Sequence, residues 1–139
     1  MKLPILALSV ALLATIPAQT FTFAEIGDQE LKLKLLLPEN VEKPPLVIFI
    51  HGGGWHKGGY RNCRTPWLTD HGFSVASIGY RLSDKATFPA QIHDVKAAVR
   101  WLRAHADEMG FNARKIGVTG TSAGAHLAML LGVTNGLEE

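Results

Sequence analysis

The sequence predicts an α/β protein, in which a parallel sheet carries an N-terminal β-hairpin and has helices on both faces. Residues 46–50 form an apolar run without polar alternation, which is typical of a strand covered on both faces, and residues 73–80 form a second apolar run. A segment with alternating leucines precedes these runs, and segments with helical periodicity separate and follow them. Strands that alternate with helices in this way form a parallel sheet with right-handed crossovers.

The hairpin is predicted from the first strand pattern. Every second residue from Leu31 to Leu37 is leucine, and charged residues occupy most of the positions between, which indicates a half-buried strand. Residues 22–26 are its expected partner across the turn Gly27-Asp28-Gln29.

Three helices and a third buried strand are also predicted, the first helix between the two buried runs and the rest after them. A short helix over residues 66–71 should be closed by Gly72, and a long helix should open at Pro89 and end near Gly110. The long helix has one apolar face, made by Ile92, Val95, Val99, Leu102 and Ala106. Residues 116–120 predict a short, buried third strand, and residues 122–131 predict the last helix.

Composition excludes several classes of protein. With 139 residues, 47% of them hydrophobic, the chain has room for one globular domain. The net charge is only +2, and the basic residues are scattered, so we expect no nucleic-acid partner. Cys63 is the single cysteine, which excludes a disulfide framework and a cysteine-rich zinc site.

Residues 1–24 resemble a secretory signal peptide. A positive start, Met1-Lys2, precedes an apolar run of about 14 residues, which is shorter than the ~20 that a membrane helix needs. Cleavage is expected after Ala18 or Ala24, giving a secreted or periplasmic protein without a stable membrane anchor. The alternatives are an uncleaved anchor and a buried N-terminal helix.

The first loop that could carry catalytic residues is Gly120-Thr121-Ser122-Ala123-Gly124, a G-x-S-x-G sequence between a strand and a helix. A sharp turn there would expose the Ser122 hydroxyl, and glycines at its ends permit close backbone approach. The N–H of Ala123, at the helix N-terminus, would face a developing oxyanion. Alone, the pentapeptide also fits a glycine-flanked N-cap serine.

The second loop is His51-Gly52-Gly53-Gly54-Trp55, which follows a buried strand. Consecutive glycines let backbone N–H groups turn into a cavity, as an acyl-transfer site requires. A flexible turn or a phosphate loop is the alternative, but neither phosphate-binding glycine pattern fits residues 52–59.

Together the two loops resemble the α/β-hydrolase fold, and more narrowly the hormone-sensitive-lipase-type and BD-FAE-like esterases. The resemblance runs from about residue 20 to the end of the chain. It also includes Tyr80-Arg81-Leu82, Phe88-Pro89-Ala90, Asp94, Trp101-Leu102 and Ala125-His126-Leu127-Ala128. It implies that Ser122 is the nucleophile, that the amides of Gly53, Gly54 and Ala123 form the oxyanion hole, and that the substrate is a small carboxylic ester.

The other polar candidates are expected to be structural. His126 lies one helical turn beyond Ser122, where it is poorly placed to act as its base. By the same resemblance, Asp94 is a structural carboxylate near Arg81, and His51 and Trp55 shape the glycine loop, where Trp55 is also a candidate for substrate contact. The four other histidines lack metal-ligand spacing with a partner acid, so we expect no metal and no cofactor: His56, His71, His93 and His105.

The chain lacks two members of the expected triad. In this fold the acid and the histidine follow the serine, yet after Ser122 only His126, Glu138 and Glu139 carry suitable groups. We therefore expect residues 25–139 to be the N-terminal part of an α/β-hydrolase domain, inactive or weakly active as given. The rival interpretations are an exopeptidase or amidase of the same fold and a non-catalytic remnant or binding module. The oligomeric state is not predicted.

Overall fold

A computed structural model describes residues 18–134, so most of the expected signal peptide lies outside the described residues. The strands are β1 (Gln19–Ile26), β2 (Gln29–Leu36), β3 (Pro45–Ile50), β4 (Ser74–Ile78) and β5 (Asn112–Gly120). The helices are α1 (Ala90–Met109), α2 (Ala123–Val133) and a 3-10 helix (Pro66–His71) between β3 and β4.

The five strands form one mixed sheet in the order β1-β2-β4-β3-β5. β3 pairs in parallel with both β4 and β5, whereas β2 joins the sheet antiparallel to β4 and carries β1 as its hairpin partner. The predicted hairpin and parallel sheet are both confirmed. β1 begins three residues earlier than the sequence indicated, at Gln19 instead of Thr22.

The leucine alternation of β2 places one side of the strand in the core. Leu31, Leu33 and Leu35 are buried, and the residues between them are half-buried. Phe23 of β1 joins the same core.

Helices cover both faces of the sheet, but unequally. The two long helices contact each other and bury the face that presents Leu46, Ile48 and Ile50. Phe49 and Val75 point to the opposite face because side chains alternate along a strand, and both are buried as well. On β4 the cover includes the 3-10 helix, which Gly72 ends in the left-handed conformation as predicted.

The third strand differs from its prediction. β5 spans nine residues rather than five, and none of its residues is buried. Within residues 18–134 it has a single strand neighbour, β3, and therefore stands at the edge of the sheet. A strand that pairs with another strand on one side only has partly exposed residues, even where its sequence is apolar.

This topology brings the two glycine-containing loops together. β3 and β5 are adjacent and parallel, so the loops that follow Ile50 and Gly120 leave the sheet side by side at the carboxyl ends of the strands. Open α/β sheets bind their ligands at this edge.

Candidate active site

Ser122 occupies the sharp turn between β5 and α2. Its backbone has φ 52° and ψ −118°, a conformation that residues other than glycine rarely adopt and that occurs mostly at functional sites. The turn is closed by the N–H of Gly124, which donates to the Thr121 carbonyl at 2.9 Å. The Ser122 residue is exposed, as the G-x-S-x-G sequence predicted.

The glycines of this turn are required by close packing. A Cβ on Gly124 would collide with the Ile50 carbonyl oxygen, and one on Gly120 would collide with the backbone of Gly124. The N–H of Thr121 also donates to Ile50 at 3.2 Å, so the turn is held against the end of β3.

The glycine loop after β3 folds into a tight turn. The Gly53 carbonyl accepts hydrogen bonds from the N–H groups of His56 and Lys57, both at 3.2 Å. Gly52 faces the serine turn: a Cβ there would lie 2.6 Å from the Thr121 carbonyl oxygen and 3.3 Å from the Ser122 Cβ. Only glycine at position 52 lets the two loops approach this closely.

The two loops share one open cavity of about 680 Å³. Its lining consists of His51, Gly52, Gly53, Lys57, Gly58, Asn62, Arg64, Thr121 and Ser122. Of the four predicted site residues, Gly53 and Ser122 are therefore brought together. Gly54 lies beside the His56 ring and does not line the cavity, and Ala123 is buried behind Ser122 in the first turn of α2.

Sequence reasoning missed three of these lining residues. Lys57, Asn62 and Arg64 lie on the irregular segment between the glycine loop and the 3-10 helix, where no periodic pattern indicates which side chains turn inward. Their proximity to the glycine motif was the one available signal.

His51 is fixed beneath the glycine loop by Tyr80. The two rings stack with centroids 4.3 Å apart, and the Tyr80 hydroxyl donates to the His51 carbonyl at 3.0 Å. The His51 Nδ1 lies 2.7 Å from the Gly52 carbonyl oxygen, which assigns the proton to this nitrogen. Since peptide bonds are planar and trans, holding the Gly52 carbonyl toward His51 directs the N–H of Gly53 the opposite way.

Burial controls the charge of both rings. Desolvation lowers the pKa of His51, and the hydrogen bond to Gly52 only partly opposes this effect, so the imidazole is neutral at pH 7. Burial raises the pKa of Tyr80 to about 12. The pair thus supports the loop without adding charge to it.

His126 does not occupy the position of a base. Its ring lies edge-on to the Trp55 ring at 5.6 Å, and its backbone N–H donates to the Ser122 carbonyl one turn back along α2. The ring nitrogens of His51, His56 and His105 form hydrogen bonds with backbone carbonyls and not with the Ser122 hydroxyl.

Asp94 is structural, as predicted. Its carboxylate accepts hydrogen bonds from the backbone N–H of Arg81 at 2.9 Å and from the Nε and Nη2 of the same residue at 2.9 and 2.8 Å. The side chain of Gln91 donates to the Arg81 carbonyl at 3.0 Å. These contacts tie α1 to the segment that follows β4.

The described part of the chain holds no group of three or more histidine, cysteine, aspartate or glutamate residues that suits a metal ion. None of its helices is both long and apolar enough to cross a membrane.

Comparison with known proteins assigns this chain to a family. The BD-FAE family model matches residues 33–139, which include both glycine-containing loops. This chain belongs to the BD-FAE family. The solved structures similar to the BD-FAE chain include a truncated form of a carbohydrate esterase from gut microbiota, with a TM-score of 0.75 and 35% identity over 86% of this chain and 45% of that one. The resemblance to the α/β-hydrolase fold is thereby confirmed.

Curated relatives are esterases as well. The chain is 39% identical over 93 residues to the probable carboxylic ester hydrolase LipM of Mycobacterium tuberculosis, covering 65% of this chain and 22% of LipM. It is 33% identical over 107 residues to an ethyl acetate hydrolase of Pseudomonas putida, covering 68% of this chain and 34% of that enzyme. The chain therefore spans only about a fifth to a third of the length of these relatives.

Proposed function

We propose that this chain supplies the nucleophile and the oxyanion-binding loops of a serine hydrolase that acts on carboxylic esters. The observation that carries the proposal is the contact between the two loops, which puts Gly53 and the exposed Ser122 on one cavity. The names of the relatives, a carboxylic ester hydrolase and an ethyl acetate hydrolase, support esters as substrates.

In the proposed reaction the Ser122 Oγ attacks the acyl carbonyl and loses its proton to a base. The N–H groups of Gly53 and Ala123 stabilise the oxyanion. The N–H of Ala123 is available because the first N–H groups of a helix have no intrahelical acceptor. Gly54 stands outside the cavity lining and stays a predicted third donor. The histidine and the acid come, in this proposal, from protein outside residues 18–134.

The test uses the complete gene product and its Ser122→Ala variant. We expect a fluorophosphonate probe to label the wild type at Ser122 and p-nitrophenyl acetate to be hydrolysed, whereas the variant does neither. Equal hydrolysis by the two proteins would remove Ser122 from the mechanism. A panel of matched ester and aminoacyl-amide substrates would separate an esterase from an amidase or exopeptidase.

A non-catalytic binding module is the second candidate, and one observation favours it: the ring nitrogens of His51 and His105 form hydrogen bonds with backbone carbonyls rather than with the Ser122 hydroxyl. Rapid labelling of Ser122 in the complete gene product would contradict the binding module, whereas an unlabelled Ser122 would contradict the hydrolase.

We further propose export with cleavage after Ala18. Residues 19–24 form most of β1, and Phe23 belongs to the core, so cleavage after Ala24 would remove packed structure. N-terminal sequencing of the exported protein should find Gln19 first; a first residue of Glu25 would overturn this assignment.

A further inference from the structure

Two cations line the cavity of the candidate nucleophile, and neither forms an ion pair with an acid among residues 18–134. Lys57 and Arg64 line the same cavity as Ser122, and no aspartate or glutamate of the described chain lines it with them. The ion pairs found between residues 18 and 134 involve neither of these two side chains.

In the neighbouring cavity, by contrast, most of the cationic residues are paired with acids. That cavity, of about 620 Å³, meets the first at Gly58 and Asn62 and is lined by four cationic residues. Three of the four are neutralised by ion pairs: Lys32 with Glu30 at 2.6 Å, Arg81 with Asp94 at 2.8 Å, and Lys85 with Asp84 at 3.8 Å. In the part of the chain that the structure describes, no ion pair compensates the positive charges of Lys57 and Arg64.

The stem of Lys57 is also held close to the proposed oxyanion loop. Its backbone N–H donates to the Gly53 carbonyl, and its Cγ lies 3.0 Å from the place that a Cβ on Gly53 would occupy. The Lys57 side chain therefore starts beside Gly53, the residue whose amide is proposed to bind the oxyanion.

We propose that this cavity selects esters that carry a carboxylate near the scissile carbonyl. The inference rests on the proposed function and adds the class of substrate. An open cavity with two unpaired cations has a positive potential that concentrates anions. The planar fork of an arginine matches the two oxygens of a carboxylate. A neutral ester uses neither property.

The experiment uses the complete gene product and compares two substrate pairs, in each of which one member carries a free carboxylate and the other its methyl ester. The first pair is 4-nitrophenyl hemisuccinate and its methyl ester, which place the charge on the acyl part. The second is 4-acetoxybenzoate and its methyl ester, which place it on the alcohol part. The quantity measured is the ratio of kcat/KM for the charged ester to that for the neutral one.

We expect the wild type to prefer the charged member of at least one pair, and that pair identifies which part of the substrate bears the carboxylate. Lys57→Gln and Arg64→Gln should each lower the ratio by up to about fivefold, the effect of one exposed charge pair. Arg61→Gln, on the same segment but outside this cavity, is the matched control and should leave the ratio unchanged. Added salt should lower the wild-type ratio.

The outcomes separate the two proposals. If Ser122 reacts with the fluorophosphonate and neutral esters are hydrolysed, but the ratio is the same in wild type, Lys57→Gln and Arg64→Gln, the preference for anions is overturned while the esterase stands. If Ser122 is not labelled and no ester of either pair is hydrolysed, the proposed function fails and the anion preference fails with it.

Discussion

Gly52 lies directly against the Ser122 side chain, so that a Cβ at position 52 would be 3.3 Å from the Ser122 Cβ and 2.6 Å from the Thr121 carbonyl oxygen. The contact joins the ends of two adjacent parallel strands. It makes the position of the nucleophile depend on the backbone of the glycine loop.

The first prediction follows from this contact. Gly52→Ala should push the two loops apart and lower the rate at which Ser122 reacts with a fluorophosphonate by up to about a hundredfold, a loss that a displacement near 1 Å can cause. Gly59→Ala is the control, because a Cβ at Gly59 meets nothing within 4 Å. Similar labelling rates for Gly52→Ala and Gly59→Ala would contradict the importance of the contact.

The second prediction concerns the buried ion pair of Arg81 and Asp94. Asp94→Asn should lower the free energy of unfolding by about 3–5 kcal/mol, because it leaves a mostly buried guanidinium without its counter-charge. Urea unfolding measures the change. Asp107→Asn breaks an exposed pair with Lys43 and should leave stability near the wild-type value. An equal loss in both variants would contradict a structural role specific to Asp94.

The third prediction is a loss of stability in acid through His51. The unfolded residue takes up a proton near pH 6.5, but burial lowers the pKa of the folded residue, so the unfolded state binds more protons as the pH falls below that value. The free energy of unfolding should therefore decrease from about pH 6.5 downward. His51→Phe, which cannot be protonated, should lose less stability between neutral and mildly acidic pH. An identical loss in the variant would show that His51 does not contribute.

The fourth prediction concerns the opposite end of the pH range. Because the pKa of Tyr80 is raised to about 12 from 10, the unfolded state loses this proton first as the pH rises, and stability should fall above pH 10. Tyr80→Phe should remove that part of the alkaline loss. At neutral pH the free energy of unfolding of the variant should be about 1–2 kcal/mol lower than that of the wild type, because the buried His51 carbonyl loses its hydrogen bond. Unfolding curves of both proteins at neutral and alkaline pH test both statements.

Local patterns in the sequence were sufficient for the elements themselves. Alternating leucines predicted β2. An apolar face between Pro89 and Gly110 predicted α1. The glycines of residues 51–55 and 120–124 predicted the two loops. These features depend on residues that are close together in the sequence, so they can be predicted from the sequence alone.

Burial and side-chain direction depended on distant neighbours. The sequence of β5 predicts a buried strand, yet the strand is half-exposed because, among the described residues, it lies at the edge of the sheet. Likewise, the stacking of His51 on Tyr80 joins residues 29 positions apart, and no periodicity indicates it.

By itself, then, the sequence determined the kind of each element, their alternation and the identity of Ser122 as the candidate nucleophile. Only the tertiary structure decided that Gly53 shares its cavity and Gly54 does not, and that Lys57 and Arg64 supply its charge. The physical reason is that irregular loops acquire their shape from contacts between strand ends, and strand order is a property of the folded sheet.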